Sequence, residues 1–365
     1  MSFDRGVEVL PELIYHALEN RSEIEYKLNL MKIDESEVLK KWLEYKPSPA
    51  HVESIGAVDG SMNFVEFHGF ILYAVSSLAI TYTSDDVLED WINEVDLLYP
   101  YEYTVERIRM YMNILESKVA IKALEYRHPE ILLLDGSILS HFSKRAPYII
   151  RNIPRSVVES YLKKHLSDLD SHIQNNSEEI YSKKLFYKLI HEELDMDTTI
   201  ALAILFEFLE YYRTLIRLIS TYATNIVAIA KTSVSRRVFR KSIKPDLVVF
   251  NSIAQKCGFS NPEIHSARFV PREIGLPSSI EEFSTRVTVF YCRLERGERV
   301  YRVELLGERG VDDIKHIMDM LESISVKGYP YPLYSVHKKV EITNLDMDKI
   351  KRIMGISERS VRERW

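Results

Sequence analysis

Two short stretches carry the residues best suited to chemistry. Val-Asp-Gly-Ser at 58–61 and Leu-Asp-Gly-Ser at 134–137 each set an aspartate behind a short apolar run, Ile55–Val58 and Ile131–Leu134. An aspartate at the carboxyl end of a buried strand points into the crevice where α/β folds bind ligands. Two such carboxylates on neighbouring strands repel each other unless a cation lies between them. An all-oxygen donor set favours Mg²⁺ or Mn²⁺ over zinc. Asp-Gly is also a common turn pair, and only its repetition after two apolar runs brings the chemical reading level with the turn reading.

Glu116 is a third acid of interest. Met112, Val119, Ala120 and Ala123 lie at i−4, i+3, i+4 and i+7 from it, which places it on or beside the apolar stripe of a helix. A carboxylate there is expensive to bury without a partner, and pairing with Lys118 or Lys122 is the plainer alternative. Lys231 follows the apolar run Asn225–Ala230, at a strand end where a lysine holds a phosphate or stabilises developing charge. From Lys231 to Lys244 there are six basic residues (Lys231, Arg236, Arg237, Arg240, Lys241, Lys244) and no acidic one. That composition suits either phosphate contacts or a solvated loop. His337 can ligate a metal or carry a proton, or be structural, and Tyr291 in a strand-like run carries the same ambiguity, with packing as its plainer role.

The elements that must hold these residues follow from periodicity and breakers. Residues 7–46 read as helix from the spacing of Leu10, Leu13, Ile14 and Leu18, stopped by Lys46-Pro47-Ser48-Pro49. Phe64–Tyr82 reads as one or two strands, with each Asp-Gly-Ser ending the strand before it. Asp85–Tyr126 reads as helix broken near Pro100. Residues 155–220 read as helical with a polar break at 174–179. Asn225–Ala230 and Asp246–Phe250 read as strands, Val287–Leu294 and Val300–Leu305 as a hairpin, and Asp312–Ser323 and Asp346–Met354 as helices. The fold class is α/β with a mixed sheet.

Composition narrows the function. The chain has 365 residues, 46% hydrophobic and 28% charged, which excludes wholesale disorder. Twelve glycines and thirteen prolines exclude collagen-like and low-complexity classes, and a net charge of −6 excludes an all-over cationic coat. The two cysteines, Cys257 and Cys292, form no Cys-x-x-Cys pair, so zinc ribbons and disulfide scaffolds are not expected and a reducing compartment is. The first residues lack the pattern of a signal peptide, and the apolar stretches are too short to span a bilayer. A cytoplasmic protein without membrane contact is expected. Phosphate-loop, G-x-G-x-x-G and G-x-S-x-G motifs are all missing from the sequence.

Taken in order, GAVDGS, Glu116 within ILESKVAIKALE, ILLLDGS, VAIAKTSVSR, the paired runs VFYCRL and YRVELL, and GYPYPLYSVHKKVEI make the chain resemble the NurA nuclease family over nearly its whole length. The resemblance implies an RNase H-like core carried by residues 51–150 and 223–345, with an N-terminal helical region at 1–50, a helical insertion at 151–222 and a C-terminal helix at 346–365. It implies a Mn²⁺-dependent deoxyribonuclease, Mg²⁺ being the alternative ion. Such an enzyme degrades DNA 5′ to 3′, cuts single strands, forms a homodimer, and partners a HerA-type hexameric helicase in DNA-end resection. By position, the metal ligands would be Asp59, Glu116 and Asp135, with Lys231, His337 and Tyr291 completing the catalytic set. Lys231, Arg236, Arg237, Arg240 and Lys241 would contact DNA. Two rivals stand beside this reading. One is an actin-like ATPase or sugar kinase, for which a glycine-rich adenosine motif is expected. The other is a non-catalytic DNA-end or helicase adaptor on the same fold.

Overall fold

Alternation of side chains across one mixed sheet organises the molecule. The computed structural model describes residues 11–30, 33–99, 102–144, 147–274, 276–277 and 279–356. Three helices, α1 (Pro11–Glu19), α2 (Arg21–Leu30) and α3 (Glu35–Leu39), precede a short strand, β1 (Trp42–Glu44). A meander follows: β2 (Ser54–Glu66), β3 (Ile71–Thr83) and β4 (Val87–Leu98). Helix α4 (Thr104–Tyr126) leads to β5 (Ile131–Asp135) and the short α5 (Ile138–Phe142). Three helices come next, α6 (Arg155–Gln174), α7 (Tyr181–Leu189) and α8 (Met196–Thr221), then β6 (Ile226–Ala230) and α9 (Asp246–Ile253). Strands β7 (Gly258–Ser260), β8 (Glu263–Phe269), β9 (Phe283–Arg293) and β10 (Tyr301–Leu306) lead to α10 (Val311–Ser323). The described chain ends with the small pair β11 (Ser325–Val326) and β12 (Tyr329–Pro330), then α11 (Tyr331–Val340) and α12 (Asn344–Ile353).

The sheet runs β1-β7-β9-β10-β6-β5-β2-β3-β4, with β8 added on β9. At its heart β2, β3 and β4 are antiparallel neighbours, while β5 lies parallel to both β2 and β6. That five-strand unit, a meander continued by two parallel strands, is the mixed α/β core expected. Alternate residues serve opposite layers, as a pleated strand requires. Val58, Leu132 and Ala228 pack with α4, α6, α7 and α8. Their neighbours Ala57, Leu133 and Val227 pack with Ile314, Met318 and Leu321 of α10 and Leu333, Val336 and Val340 of α11. Both faces are covered, which is why β3 is buried continuously from Ile71 to Thr81.

The helical layer carries charge in its interior. Arg107 of α4 and Glu207 of α8 form a buried two-pronged pair, at 2.7 and 2.9 Å, with the Tyr111 hydroxyl donating to the same carboxylate. Lys118 pairs with Glu210 at 3.0 Å. These contacts register α4 against α8, since either charge alone would be costly there.

Several expectations are corrected. Residues 87–98 form strand β4, not helix. Its inward positions carry Asp90, Glu94 and Asp96, neutralised by Arg127 and Lys183, while Val87, Trp91, Val95 and Leu97 face outward. Leu88, Ile92 and Leu98 share the inward side with these acids, and Glu89 and Asn93 share the outward side, so both faces are mixed and no strand period is visible. Asp246–Phe250 belongs to helix α9, not a strand: Leu247 and Phe250, three apart, are buried on one side while Val248 is exposed. The four apolar residues Leu247–Phe250 are too short a run to distinguish the two by period. Residues 42–44, expected as helix, form β1 against β7. The first Asp-Gly-Ser does not end its strand: β2 runs through it to Glu66, and the hairpin turns at Phe67–Phe70. Residues 1–10 of the expected N-terminal helical region, Met31, Pro100 and residues 357–365 of the expected C-terminal helix lie outside the described residues. No helix among the described residues is long and apolar enough to cross a membrane.

Candidate functional site

The two Asp-Gly-Ser motifs reach the same place by different local chemistry. In the second, Asp135 is the last residue of β5 and Gly136 turns the chain with φ +127, a conformation glycine accepts without strain. Ser137 then caps α5, its hydroxyl accepting from the Ser140 N–H. In the first, Gly60 is extended strand and faces α4. A Cβ there would lie 2.9 Å from Met112 Cγ and 3.4 Å from Glu116 Oε2. Glycine at this position allows the helix to approach the strand.

Asp59 and Asp135 sit on adjacent parallel strands, beyond the paired residues Val58 and Leu134. Both point to the layer that holds α11. His337 of α11 meets them: its Nδ1 lies 2.7 Å from Asp59 Oδ2. Beside a carboxylate, which only accepts, that nitrogen is assigned as the donor. One donor atom each from Asp59, Asp135 and His337 falls within 4.8 Å of the others. Glu116 comes from the opposite face, over Gly60. It does not pair with Lys118 or Lys122, which are engaged by Glu210 and Glu178. Burial, followed by the charges of Asp59 and Asp135, pushes the Glu116 carboxyl up to about 8, with Lys144 opposing. Burial also raises Asp59, aided by Asp135 and opposed mainly by the His337 hydrogen bond.

Such convergence of anions fits a divalent cation. Carboxylate oxygens with one imidazole nitrogen suit Mn²⁺ as well as Mg²⁺. The neighbouring cation is Lys231 at the end of β6, whose Nζ lies 2.7 Å from Asp135 Oδ2 and 5.0 Å from the centre of the Tyr329 ring.

A groove of about 1150 Å³ opens from Asp135 and is lined by Lys144, Lys231, Arg236, Arg237, Arg240 and Arg302, among others. Lys241 is exposed but outside this lining. Tyr291 is not brought to the carboxylates. It is 2% exposed, packs on Phe250, and directs its hydroxyl at Asp246, 3.4 Å away. The tyrosine at the cluster is Tyr329, in the same motif as His337. Among the described residues its hydroxyl has no hydrogen-bond partner, and burial together with Asp135 and Asp59 holds it protonated. Tyr329, Lys144 and Arg302 escaped the sequence reading. The only signal for Tyr329 was its place eight residues before His337, in a stretch crowded with other tyrosines.

Beneath the groove, Glu304 of β10 fixes the second motif. It is fully buried, accepts from the Ser137 hydroxyl at 2.6 Å and the Leu139 N–H at 3.0 Å, and pairs with Arg302 at 2.8 Å.

Comparison with known proteins gives the family and the fold. Residues 53–342 match the NurA domain. The DNA double-strand break repair nuclease NurA of Sulfurisphaera tokodaii is 26% identical over 361 residues, covering 95% of this chain and 96% of its own. The crystal structure of the NurA nuclease from Sulfolobus solfataricus superposes with a TM-score of 0.71 at 23% identity, over 95% of this chain and 97% of that one. The crystal structure of NurA bound to dAMP and manganese superposes with a TM-score of 0.62 at 18% identity, over 98% of each chain.

Proposed function

The chain belongs to the NurA family, and from that premise we propose that it is a metal-dependent deoxyribonuclease of DNA double-strand break repair. The reading includes Mn²⁺ as the working ion with Mg²⁺ as alternative, 5′ to 3′ exonuclease action on single- and double-stranded DNA, and endonuclease action on single strands. It also includes a homodimer acting with a HerA-type hexameric helicase in the cytoplasm. Support comes from the names its relatives carry and from a similar structure described with manganese and a nucleotide. The observation that carries it is the approach of Asp59, Asp135 and His337 to within 4.8 Å at the mouth of a basic groove.

Asp59 and Asp135 would hold the ion, with Glu116 as the third carboxylate above Gly60. When bound, the ion makes hydroxide available near neutral pH and polarises a phosphoryl oxygen. Lys231, free to exchange Asp135 for a phosphate oxygen, neutralises charge at the scissile group. His337, held at Nδ1 by Asp59, has Nε2 left to ligate or to move a proton. Arg236, Arg237 and Arg240 pair with backbone phosphates along the groove.

The test is cleavage of a fluorescent DNA oligonucleotide in Mn²⁺. Asp59→Ala and Asp135→Ala are each expected to abolish cleavage and leave the circular-dichroism spectrum unchanged, and EDTA should stop the wild type. Full activity in either folded variant refutes the assignment.

A further inference from the structure

The basic segment between β6 and α9 has no helix or strand of its own from 231 to 245. Its shape is set from inside by one acid. Asp246 is fully buried at the start of α9. Its carboxylate accepts the backbone N–H groups of Arg237 at 2.7 Å, Val238 at 3.2 Å and Phe239 at 2.9 Å. It also accepts the hydroxyls of Ser235 at 3.3 Å and Tyr291 at 3.4 Å, and its own N–H donates to the Ser235 carbonyl at 2.7 Å. Charge-assisted bonds of this kind are the strong ones.

Two anchors complete the fold of the segment. Phe239 is buried edge-on against Phe250, with ring centres 5.0 Å apart. The Arg237 guanidinium donates to His265 Nδ1 at 2.6 Å, and His265 in turn contacts Glu263 at 3.2 Å. Arg236 and Arg240, together with the anchored Arg237, line the groove that begins at Asp135.

We propose that Asp246 is a positioning residue for nucleic-acid binding: it folds residues 235–239 into one preformed shape that presents Arg236, Arg237 and Arg240 to the backbone phosphates of a strand in the groove. The inference rests on the deoxyribonuclease reading and deepens it. A loop already ordered loses less entropy on binding than one ordered by its ligand. Tyr291 acts here through Asp246, well inside the protein, which accounts for a buried tyrosine hydroxyl far from the carboxylate cluster.

The test uses the full chain and a fluorescein-labelled oligothymidylate, with binding followed by anisotropy in EDTA as NaCl is raised. Asp246→Asn leaves one acceptor oxygen and turns an N–H₂ toward the backbone donors. The expected result is about tenfold weaker binding at moderate salt. The salt slope should fall by about 2, from three arginine contacts at about 0.7 each for single strands. In Mn²⁺ the KM rises while kcat at saturating DNA stays within about twofold. Should Asp246→Asn fail to fold, the double variant Ser235→Ala/Tyr291→Phe removes only the two hydroxyl donors and is expected to lower the slope by about 1. Wild-type slope and KM in the folded variant overturn the inference while leaving the nuclease reading intact. So does a fall in kcat at unchanged KM. A wild-type protein without salt-dependent binding overturns the nuclease reading, and this inference with it.

Discussion

Glu116→Gln removes one negative charge from the crowded carboxylates while keeping the shape of the side chain. In the metal-free protein the native Glu116 carboxyl titrates at about 8 rather than the ordinary 4.5, because of burial first and then Asp59 and Asp135. Between those values the native state holds a proton that the unfolded chain has released. Stability of the metal-free wild type is therefore whole below about pH 4.5 and is lost as pH rises to about 8. At about 1.4 kcal/mol per pH unit the loss has a ceiling of about 5 kcal/mol. The glutamine variant has no such group and keeps that stability. For a chain of this length the unfolding entropy is about 0.8 kcal/mol/K, so the variant should melt up to about 6 °C above wild type at pH 8.5 in EDTA. At pH 5 the two should nearly coincide. Adding Mn²⁺ narrows the difference. A site filled at a hundred times its Kd stabilises by about 2.7 kcal/mol, and the variant, lacking one carboxylate, gains less and cleaves less. The assay is a thermal melt from pH 5 to 9 with EDTA or Mn²⁺. Equal melting at pH 8.5 in EDTA, or an equal Mn²⁺ shift, refutes the crowding argument.

Two further outcomes follow from packing. Gly60→Ala puts a methyl 2.9 Å from Met112 Cγ and 3.4 Å from Glu116 Oε2, so the Met112 side chain must move and the Glu116 carboxyl is crowded from the strand side; Mn²⁺ affinity by calorimetry is expected to fall about tenfold, and unchanged affinity would show that the close approach is dispensable. Arg107→Ala strands the buried Glu207 carboxylate beside Tyr111. Urea denaturation should show a loss of about 3–5 kcal/mol, against much less for the paired change Arg107→Met/Glu207→Leu, and equal losses in the two proteins would contradict that account.

The candidate site was half legible from local pattern. Asp135 and Lys231 each follow a short apolar strand, and the structure keeps both at strand ends. The second Asp-Gly-Ser behaves as a turn and a helix cap, which adjacent residues write and Glu304 of β10 then holds. The first does not, because its glycine answers to Met112 and Glu116 on a helix more than fifty positions away. Strand β4 was illegible for a related reason. Its inward acids are acceptable only because Arg127 and Lys183 arrive from other elements, so its hydrophobic pattern misleads when read alone. Tyr291 and Tyr329 show the same limit: both sit in aromatic-rich runs, and only packing sends one toward Asp246 and the other toward Asp135.

What the linear order of residues settled by itself is therefore the set of short-range choices. These are short apolar runs with an acid directly after each, the helical block with its break near 174–179, the hairpin of β9 and β10, and the basic run after β6. Backbone propensity and the alternation of neighbours act over a few residues, so such features are written locally. What tertiary structure alone decided is which distant groups meet. Asp59 and His337 are separated by 278 positions, yet lie 2.7 Å apart. Parallel pairing of β2 with β5 sets the two aspartates side by side, and α11, packed on the face of the sheet they share, delivers the histidine. Their mutual field, strong because water is partly excluded, belongs to the assembled fold and to no segment of it.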